Sequence, residues 1–157
     1  MKKVGWCGIV ALLLLAGNIG LIYKFILSGS TTEVVDQRTA ILLEDGEREL
    51  VLMEMRTFLS ATQQITQGIA AKDMKAVAAA ARSVGQAAAQ AVPGSLMGKL
   101  PVEFKKLGFA THDSFDQLAM DAGDLGDPAH ALEQLSVLLN NCVSCHAGYQ
   151  IRPSAVP

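Results

Sequence analysis

The chain has 157 residues, of which half are apolar, 18% are charged and 5% are aromatic. This length predicts a single domain with its own core, and the apolar content excludes collagen-like and disordered chains. Three cysteines in so long a chain exclude a small disulfide-stapled protein. Residues 31–157 carry ten basic and fifteen acidic side chains, a net charge of −5. Without a basic stripe, nucleic acid is excluded as a partner.

Residues 1–30 have the composition of a membrane anchor or a signal peptide. Two lysines, Lys2 and Lys3, precede a stretch of 20 residues without charge, and Lys24 is followed by three more large apolar residues. A helix over residues 4–27 is long enough to span a bilayer, whereas a signal peptide has an apolar core of only about 7–15 residues. We therefore expect an uncleaved anchor, with cleavage near residues 28–30 as the alternative.

The paired lysines predict a cytoplasmic N-terminus and a periplasmic location for everything after the anchor. The sequence thus predicts a single-pass protein of the inner membrane. Cys7 is interpreted as a small apolar residue within the span, with lipid attachment as the alternative. Residues 31–44 are predicted to be a linker or a packed extension with a short strand or turn, and residues 45–157 to be the folded domain.

Four helices are predicted in residues 45–157. The first is capped by Asp45 and carries an apolar stripe at steps of three and four: Val51, Met55, Phe58, Thr62, Ile65 and Ile69. The second is rich in alanine and runs from the cap Asp73 to about Ala91, before Pro93-Gly94.

A short helical turn is predicted for residues 101–107, stopped by Gly108. The third helix is then capped by Thr111 and ends near Gly123, with Phe115, Leu118, Ala119 and Ala122 as its apolar positions. The fourth begins at Asp127-Pro128, and its apolar residues recur at helical spacing: Leu132, Leu135, Leu139 and Cys142. The fold class predicted is all-α, a four-helix bundle behind one N-terminal transmembrane helix.

The segment Cys142-Val143-Ser144-Cys145-His146 lies near the end of the fourth helix. Cysteines at positions i and i+3 share one helix face, where both can bond one haem, and the following histidine can then ligate the iron. The alternatives are weaker. A disulfide between these cysteines would constrain little, zinc needs further ligands at matching spacing, and a thioredoxin-like pair belongs at a helix N-terminus. The motif therefore predicts one covalently attached haem c.

On this motif and its position, the chain resembles the class II c-type cytochromes, the cytochrome c-prime family and its low-spin relatives. Tyr149 matches the aromatic residue that follows the ligand in that family, and the stretch Leu100-Pro101…Phe104 resembles its connector before the third helix. Gln150 departs from the basic residue that usually comes next, and Arg152 lies two positions further on. The resemblance covers about residues 45–152. It implies an exported four-helix bundle with C-terminal covalent haem attachment, which often pairs into homodimers.

The resemblance also implies that the first helix faces the iron with either a methionine or a bulky apolar residue. Met53 and Met55 are separated by about 200° around a helix, so only one can point towards the haem. Met55 belongs to the apolar stripe, and we therefore expect it to be the sixth iron ligand, with His146 as the fifth. Packing in the core is the alternative for Met55, and Leu52 would then cover an open iron.

Other polar residues have simpler interpretations. His112 is expected in the first turn of the third helix near a haem propionate, with iron ligation as a weaker alternative, and His130 on the solvated surface. The carboxylates of Asp121, Asp124 and Asp127 fit a solvated turn better than a cation site. Contact with the haem propionates remains open for Arg48 and Arg56, which fit equally well as surface charges. Met74, Met97 and Met120 are interpreted as packing residues.

The sequence thus predicts a membrane-tethered electron carrier whose partners are redox proteins of the respiratory chain or a periplasmic oxidoreductase. The alternative is a five-coordinate cytochrome that binds nitric oxide or carbon monoxide at an open iron. A haem subunit of a larger complex is a third possibility. An enzyme is not expected, because the sequence contains no pattern typical of an acid–base pair or a catalytic triad.

Overall fold

A computed structural model of the chain describes residues 5–32, 36–90 and 92–154. The protein is mostly helical, as predicted, with 78% of its residues in helices. The N-terminal helix α1 (Trp6–Ile22) continues into a π-helical segment (Tyr23–Ser28), and together they are long and apolar enough to cross a membrane. None of their central residues is buried within the protein, so this apolar surface is available to lipid. Lys2, Lys3 and Val4, at the start of the predicted anchor, lie outside the described residues.

The remaining helices are α2 (Asp45–Ala71), α3 (Met74–Arg82), α4 (Gln86–Ala89), α5 (Gly94–Lys99), α6 (Val102–Asp124) and α7 (Pro128–Gly148). Helices α2, α3, α6 and α7 share one hydrophobic core. Its largest fully buried side chains include Ile65, Val77, Phe115, Leu118 and Leu138. The apolar positions predicted for the third helix are all buried there. On α7 the predicted Leu135 is buried and Cys142 packs partly buried against the core, whereas Leu132 and Leu139 lie on the outer flank. Ala131 and Leu138 are buried in their place.

A three-stranded sheet departs from the all-α prediction. Its strands are β1 (Thr31–Thr32), β2 (Thr39–Leu43) and β3 (Tyr149–Pro153), and β2 lies in the middle. Strand β2 pairs antiparallel with β1 and parallel with β3, Thr39 lying opposite Tyr149. The side chains of Ile41 and Leu43 are fully buried in a second core with residues of α2 and α5. Strands this short do not give a recognisable alternation of apolar and polar residues, which is why the sequence did not indicate a sheet.

The prediction of one long second helix is wrong. Helix α3 ends at Arg82 and α4 begins only at Gln86, while Ala91 lies outside the described residues. The backbone N–H of Gln86 donates to a carboxylate oxygen of Asp116 on α6 at 2.8 Å, and a Cβ atom on Gly85 would overlap that carboxylate. The break therefore depends on a residue 30 positions away that caps the new helix.

The predicted boundary between the connector and the third helix is also wrong, because α6 runs without interruption from Val102 to Asp124. Thr111 is not a cap. Its hydroxyl donates to the carbonyl of Leu107 at 2.7 Å, one turn back within the same helix. Gly108 does not stop the helix either, since a glycine inside a helix costs only about 1 kcal/mol relative to alanine and packing can offset this. The connector instead contains α5, a short helix of six residues.

The predicted caps fared better at other positions. Asp73 accepts a hydrogen bond from the backbone N–H of Ala76 at 3.0 Å, and Asp127 accepts one from Ala129 at 2.8 Å, so both are N-caps as expected. Helix α2 begins one residue earlier than expected, because Glu44 rather than Asp45 is the cap. Glu44 and Glu47 bond each other's backbone N–H groups in a capping box.

Candidate functional site

The motif of residues 142–146 occupies the last two turns of α7. This helix ends at Gly148, and β3 follows without a loop, so its pairing with β2 fixes the end of the helix. Cys142 is partly buried and packs against the main core, and Cys145 is also partly buried, whereas His146 is exposed. Neither cysteine is in a disulfide. The structure therefore leaves both thiols free and the imidazole open to a ligand.

Both thiols are held in the neutral form. Burial raises the pKa of Cys142 above its ordinary value. Burial, and to a lesser extent repulsion from Cys142, raises the pKa of Cys145 to about 11. Metal ions such as zinc bind the thiolate, so these surroundings oppose metal binding by the pair, whereas neutral thiols suit an apolar partner. Among the described residues, no group of three or more His, Cys, Asp or Glu could hold a metal ion.

His146 lies on the flank of α7 that faces away from α6. A helix turns by 100° per residue about its axis. Viewed down the axis of α7, Gln134 is therefore about 80° to one side of Cys142, and His146 is about 40° to the other side. Gln134 donates a hydrogen bond to Asp121 of α6, so the flank that carries Gln134 faces α6. On the flank of His146 lies an apolar residue, Val143, which is 67% exposed. An exposed imidazole thus stands beside apolar side chains.

Met55 lies on the corresponding flank of α2. About 60° separates Met55 from the core-facing Phe58, and Glu54 lies about 40° to the opposite side, towards α6. Met55 is partly buried and packs against the same core as Cys142. Next to it on this flank, Leu59 is 70% exposed. The side chain of Met53 is exposed on the far side of α2. Of the two methionines, Met55 is therefore the one on the core side, as the apolar stripe predicts.

These two flanks meet at one side of the molecule. The other flank of α2 packs against α3, where Gly68 permits close approach to Val77. The other flank of α7 packs against α6. Helices α2 and α7 also contact each other. The apolar side chains along their shared seam define a surface that we call the α2/α7 apolar face. It comprises Leu52, Met55 and Leu59 of α2 with Leu139 and Val143 of α7, and His146 borders it.

The expectation that His112 lies in the first turn of a helix is wrong. It lies in the middle of α6, and it is only 4% exposed. Its Nδ1 lies 2.8 Å from the carbonyl oxygen of Val84, and its Nε2 lies 3.3 Å from a carboxylate oxygen of Glu54. Burial alone would lower the pKa of His112, but the hydrogen bonds to Glu54 and Val84 outweigh it, and the pKa is raised. Because protein acceptors engage both ring nitrogens, His112 is not free to bind iron.

The other polar residues singled out in the sequence have local structural roles. The carboxylate of Asp121 accepts hydrogen bonds from Gln117 and Gln134, and His130 lies 3.5 Å from it. These bonds lower the pKa of Asp121. Since Asp127 caps α7, the three aspartates do not converge on one point. Arg48 and Arg56 both pair with Glu49 at the surface.

Around the motif, the residues of the connector and of β3 hold the end of α7. The rings of Phe104 and Tyr149 pack edge to face with centroids 5.3 Å apart. Gln150 donates a hydrogen bond to Asp36, and the guanidinium Nε of Arg152 donates to Gln150 at 2.8 Å. Arg152 therefore belongs to the sheet edge.

A separate apolar pocket of about 240 Å³ was not foreseen from the sequence. Residues of α2, the segment from Val84 to Leu100, and α6 line it, and Glu54, Phe58 and His112 lie among them. None of its lining residues belongs to α7, so the pocket is distinct from the motif of residues 142–146. The separation of these elements in the sequence concealed the pocket, because no local pattern links Glu54 with His112.

No protein-family model matches this chain, and no curated protein and no solved structure matches it either. Its function is therefore inferred from the chain's own residues.

Proposed function

We propose that this protein is a membrane-anchored c-type cytochrome that carries one haem c and transfers single electrons on the periplasmic side of the inner membrane. The carrying observation is that Cys142, Cys145 and His146 form a haem-attachment motif on the last turns of one helix, next to the α2/α7 apolar face. The proposal includes a four-helix bundle of the class II type, for which the shared core of α2, α3, α6 and α7 is the support.

The residues around the motif suit a haem in three respects. Two free thiols stand one helical turn apart, which is the spacing that two bonds to one haem require. Cys142 packs against the main core and Cys145 is partly buried, so both thiols stand beside apolar side chains. The α2/α7 apolar face offers exposed leucine and valine side chains that a flat apolar group would cover, and exposed apolar patches on monomers commonly mark binding sites.

Each residue then has a defined task. Cys142 and Cys145 hold the group covalently, and His146 supplies an imidazole ligand from the same helix. When bound, the haem provides an iron centre that gains and loses one electron. Met55, on the facing flank of α2, is the proposed sixth ligand, and the leucines beside it exclude water.

The position of the anchor supports the proposed location. The apolar segment Trp6–Ser28 is long enough to span the bilayer, and in the sequence basic residues precede it while every acidic residue follows it. Positive charge on the N-terminal side favours a cytoplasmic N-terminus. Haem attachment and electron transfer would then take place beyond the membrane.

The test is the visible absorbance of the purified full-length protein, matured in cells that attach haem c. We expect a haem c spectrum whose colour stays with the denatured polypeptide, and its loss from the polypeptide when both Cys142 and Cys145 are changed to alanine. A colourless wild-type protein would refute the proposal.

The sixth ligand is tested by a matched pair of variants on α2. Met55→Ala should remove the weak far-red methionine–iron band and let carbon monoxide bind, whereas Met53→Ala, on the opposite side of the helix, should leave the spectrum unchanged. A wild-type protein that is high-spin and binds carbon monoxide would instead establish the five-coordinate alternative, with Met55 packing in the core and Leu52 next to an open iron.

A further inference from the structure

The pocket described above has apolar walls and one polar end. Leu50 and Phe58 of α2, Val92 and Leu96 of the connector, and Phe109 of α6 contribute to the walls. Glu54 and His112 provide the polar end, where Nε2 of His112 contacts Oε1 of Glu54 at 3.3 Å. The side chain of Glu54 is 33% exposed, so its carboxylate can accept a further hydrogen bond from a ligand.

The pocket adjoins the end of the membrane segment. Lys105 lines the pocket, and its Nζ donates to the carbonyls of Met97 at 3.3 Å and Ile26 at 3.4 Å. Met97 lines the pocket as well, and Ile26 belongs to the π-helical continuation of α1. The pocket therefore lies next to the end of the apolar segment Trp6–Ser28, and Lys105 bridges the two.

The connection between membrane segment and domain is short and well held. The backbone N–H of Ser30 donates to the carbonyl of Lys99 at 2.8 Å, and Nζ of Lys24 donates to the carbonyl of Gly29 at 2.8 Å. Gly29 has a φ of 70° and lies against the backbone of Lys99 and Leu100, where a Cβ atom would overlap. The pocket is thus kept beside the membrane surface.

The size and chemistry of the pocket select a class of ligand. An engineered cavity of about 150 Å³ accepts benzene, so 240 Å³ has room for a substituted six-membered ring. The faces of Phe58 and Phe109 suit an aromatic or quinoid ring, and the Glu54 carboxylate suits a hydroxyl donor on that ring. A plain acyl chain would cover the carboxylate without giving it a hydrogen bond, which is costly.

We propose that this pocket binds the ring of a membrane-borne isoprenoid quinol, with a ring hydroxyl donating to Glu54 and the apolar tail continuing towards the bilayer. The assignment rests on the proposed function only in giving the bound quinol a role as the class of electron donor. Binding itself requires only the pocket and its place at the membrane.

The experiment uses the full-length protein in lipid nanodiscs with ¹³C-labelled methionine methyl groups, titrated in the absence of oxygen with a decyl-substituted benzoquinol. Met53 and Met97 line the pocket, whereas Met74 and Met120 do not. We expect saturable shifts of the first two methyl signals and none of the second two. Ala89→Phe, which fills the pocket, should weaken binding at least tenfold. Ala87→Phe is the matched control, since Ala87 lies on the same short helix, is exposed and does not line the pocket.

Two results would overturn the inference. If decanol produced the same shifts at the same concentrations, the pocket would be a lipid-chain site with no preference for the ring. If the quinol produced no saturable shift of Met53 and Met97, or if Ala89→Phe left binding unchanged, the pocket would not be the site. Because binding is measured on methionine methyl groups and the haem by its absorbance, this inference and the proposed function can fail separately.

Discussion

The contact between Glu54 and His112 predicts a pH-dependent contribution to stability. His112 is 4% exposed and its two nitrogens face Glu54 and the carbonyl of Val84, so the folded protein favours the charged imidazolium. Glu54→Gln removes the negative charge while keeping the side-chain shape. The imidazolium then remains buried with one neutral acceptor in place of a carboxylate, which is unfavourable.

The magnitude follows from the exposure of the pair. Hydrogen bonds to charged groups contribute about 1.5–3 kcal/mol, and the side chain of Glu54 is 33% exposed, which places it at the lower end because solvent screens the charge. We therefore expect Glu54→Gln to lower the free energy of unfolding by about 1.5 kcal/mol at pH 6.

The sign of the pH dependence follows from the raised pKa of His112. The stabilisation is complete below the unfolded pKa of about 6.5 and is lost as the pH rises through the higher folded pKa. The wild type should therefore lose stability as the pH rises above about 6.5, and the difference from Glu54→Gln should shrink as the pH rises.

The assay is urea unfolding of the full-length protein in detergent, followed by helical circular dichroism at several pH values. Glu49→Gln is the matched control, because Glu49 is also on α2 but forms only surface ion pairs with Arg48 and Arg56. A stability difference between wild type and Glu54→Gln that stays constant from pH 6 to 8.5 would refute the reasoning. An equal effect of Glu49→Gln would do the same.

Three further predictions concern packing and the anchor. Gly85→Ala should destabilise the protein by about 1–3 kcal/mol in urea unfolding, because the added methyl group would displace the Asp116 carboxylate. Gly108→Ala should instead stabilise it by about 0.5–1 kcal/mol, because nothing lies within 4 Å of the added methyl group. Ile41→Ala should lower the free energy of unfolding by about 2–5 kcal/mol, since the side chain of Ile41 in β2 is fully buried. A loss near zero would show that β2 is not part of the core. The mature protein should remain with washed membranes and keep its first residues, so N-terminal sequencing that begins near Thr31 would disprove the anchor.

Local signals in the sequence were sufficient for several elements. The caps Asp73 and Asp127 act within three residues of themselves, and the spacing of the α2 stripe records which side is buried. For the same reason, the grouping of Cys142, Cys145 and His146 on one helix could be predicted, because it depends only on helical periodicity.

The errors arose where distant residues decide the structure. Helix α3 ends because Asp116 caps the next helix from 30 residues away, and His112 is buried because Val84 and Glu54 approach it from two other elements. Strand β3 forms because β2 is there to pair with it. None of these partners is visible in a window of ten or fifteen residues.

The parallel pairing of β2 with β3 has a consequence for maturation. It joins the segment just before α2 to the segment just after α7, about 110 residues apart, so its formation needs the whole helical body in place. In the proposed orientation the segment directly after the anchor crosses first, and the strand that secures α7 emerges last. We expect an interval in which the two cysteines have left the membrane while β3 has not yet paired with β2 to hold the end of α7. If the chain carries haem c as proposed, this order of translocation would leave the two cysteines accessible for attachment before the fold closes.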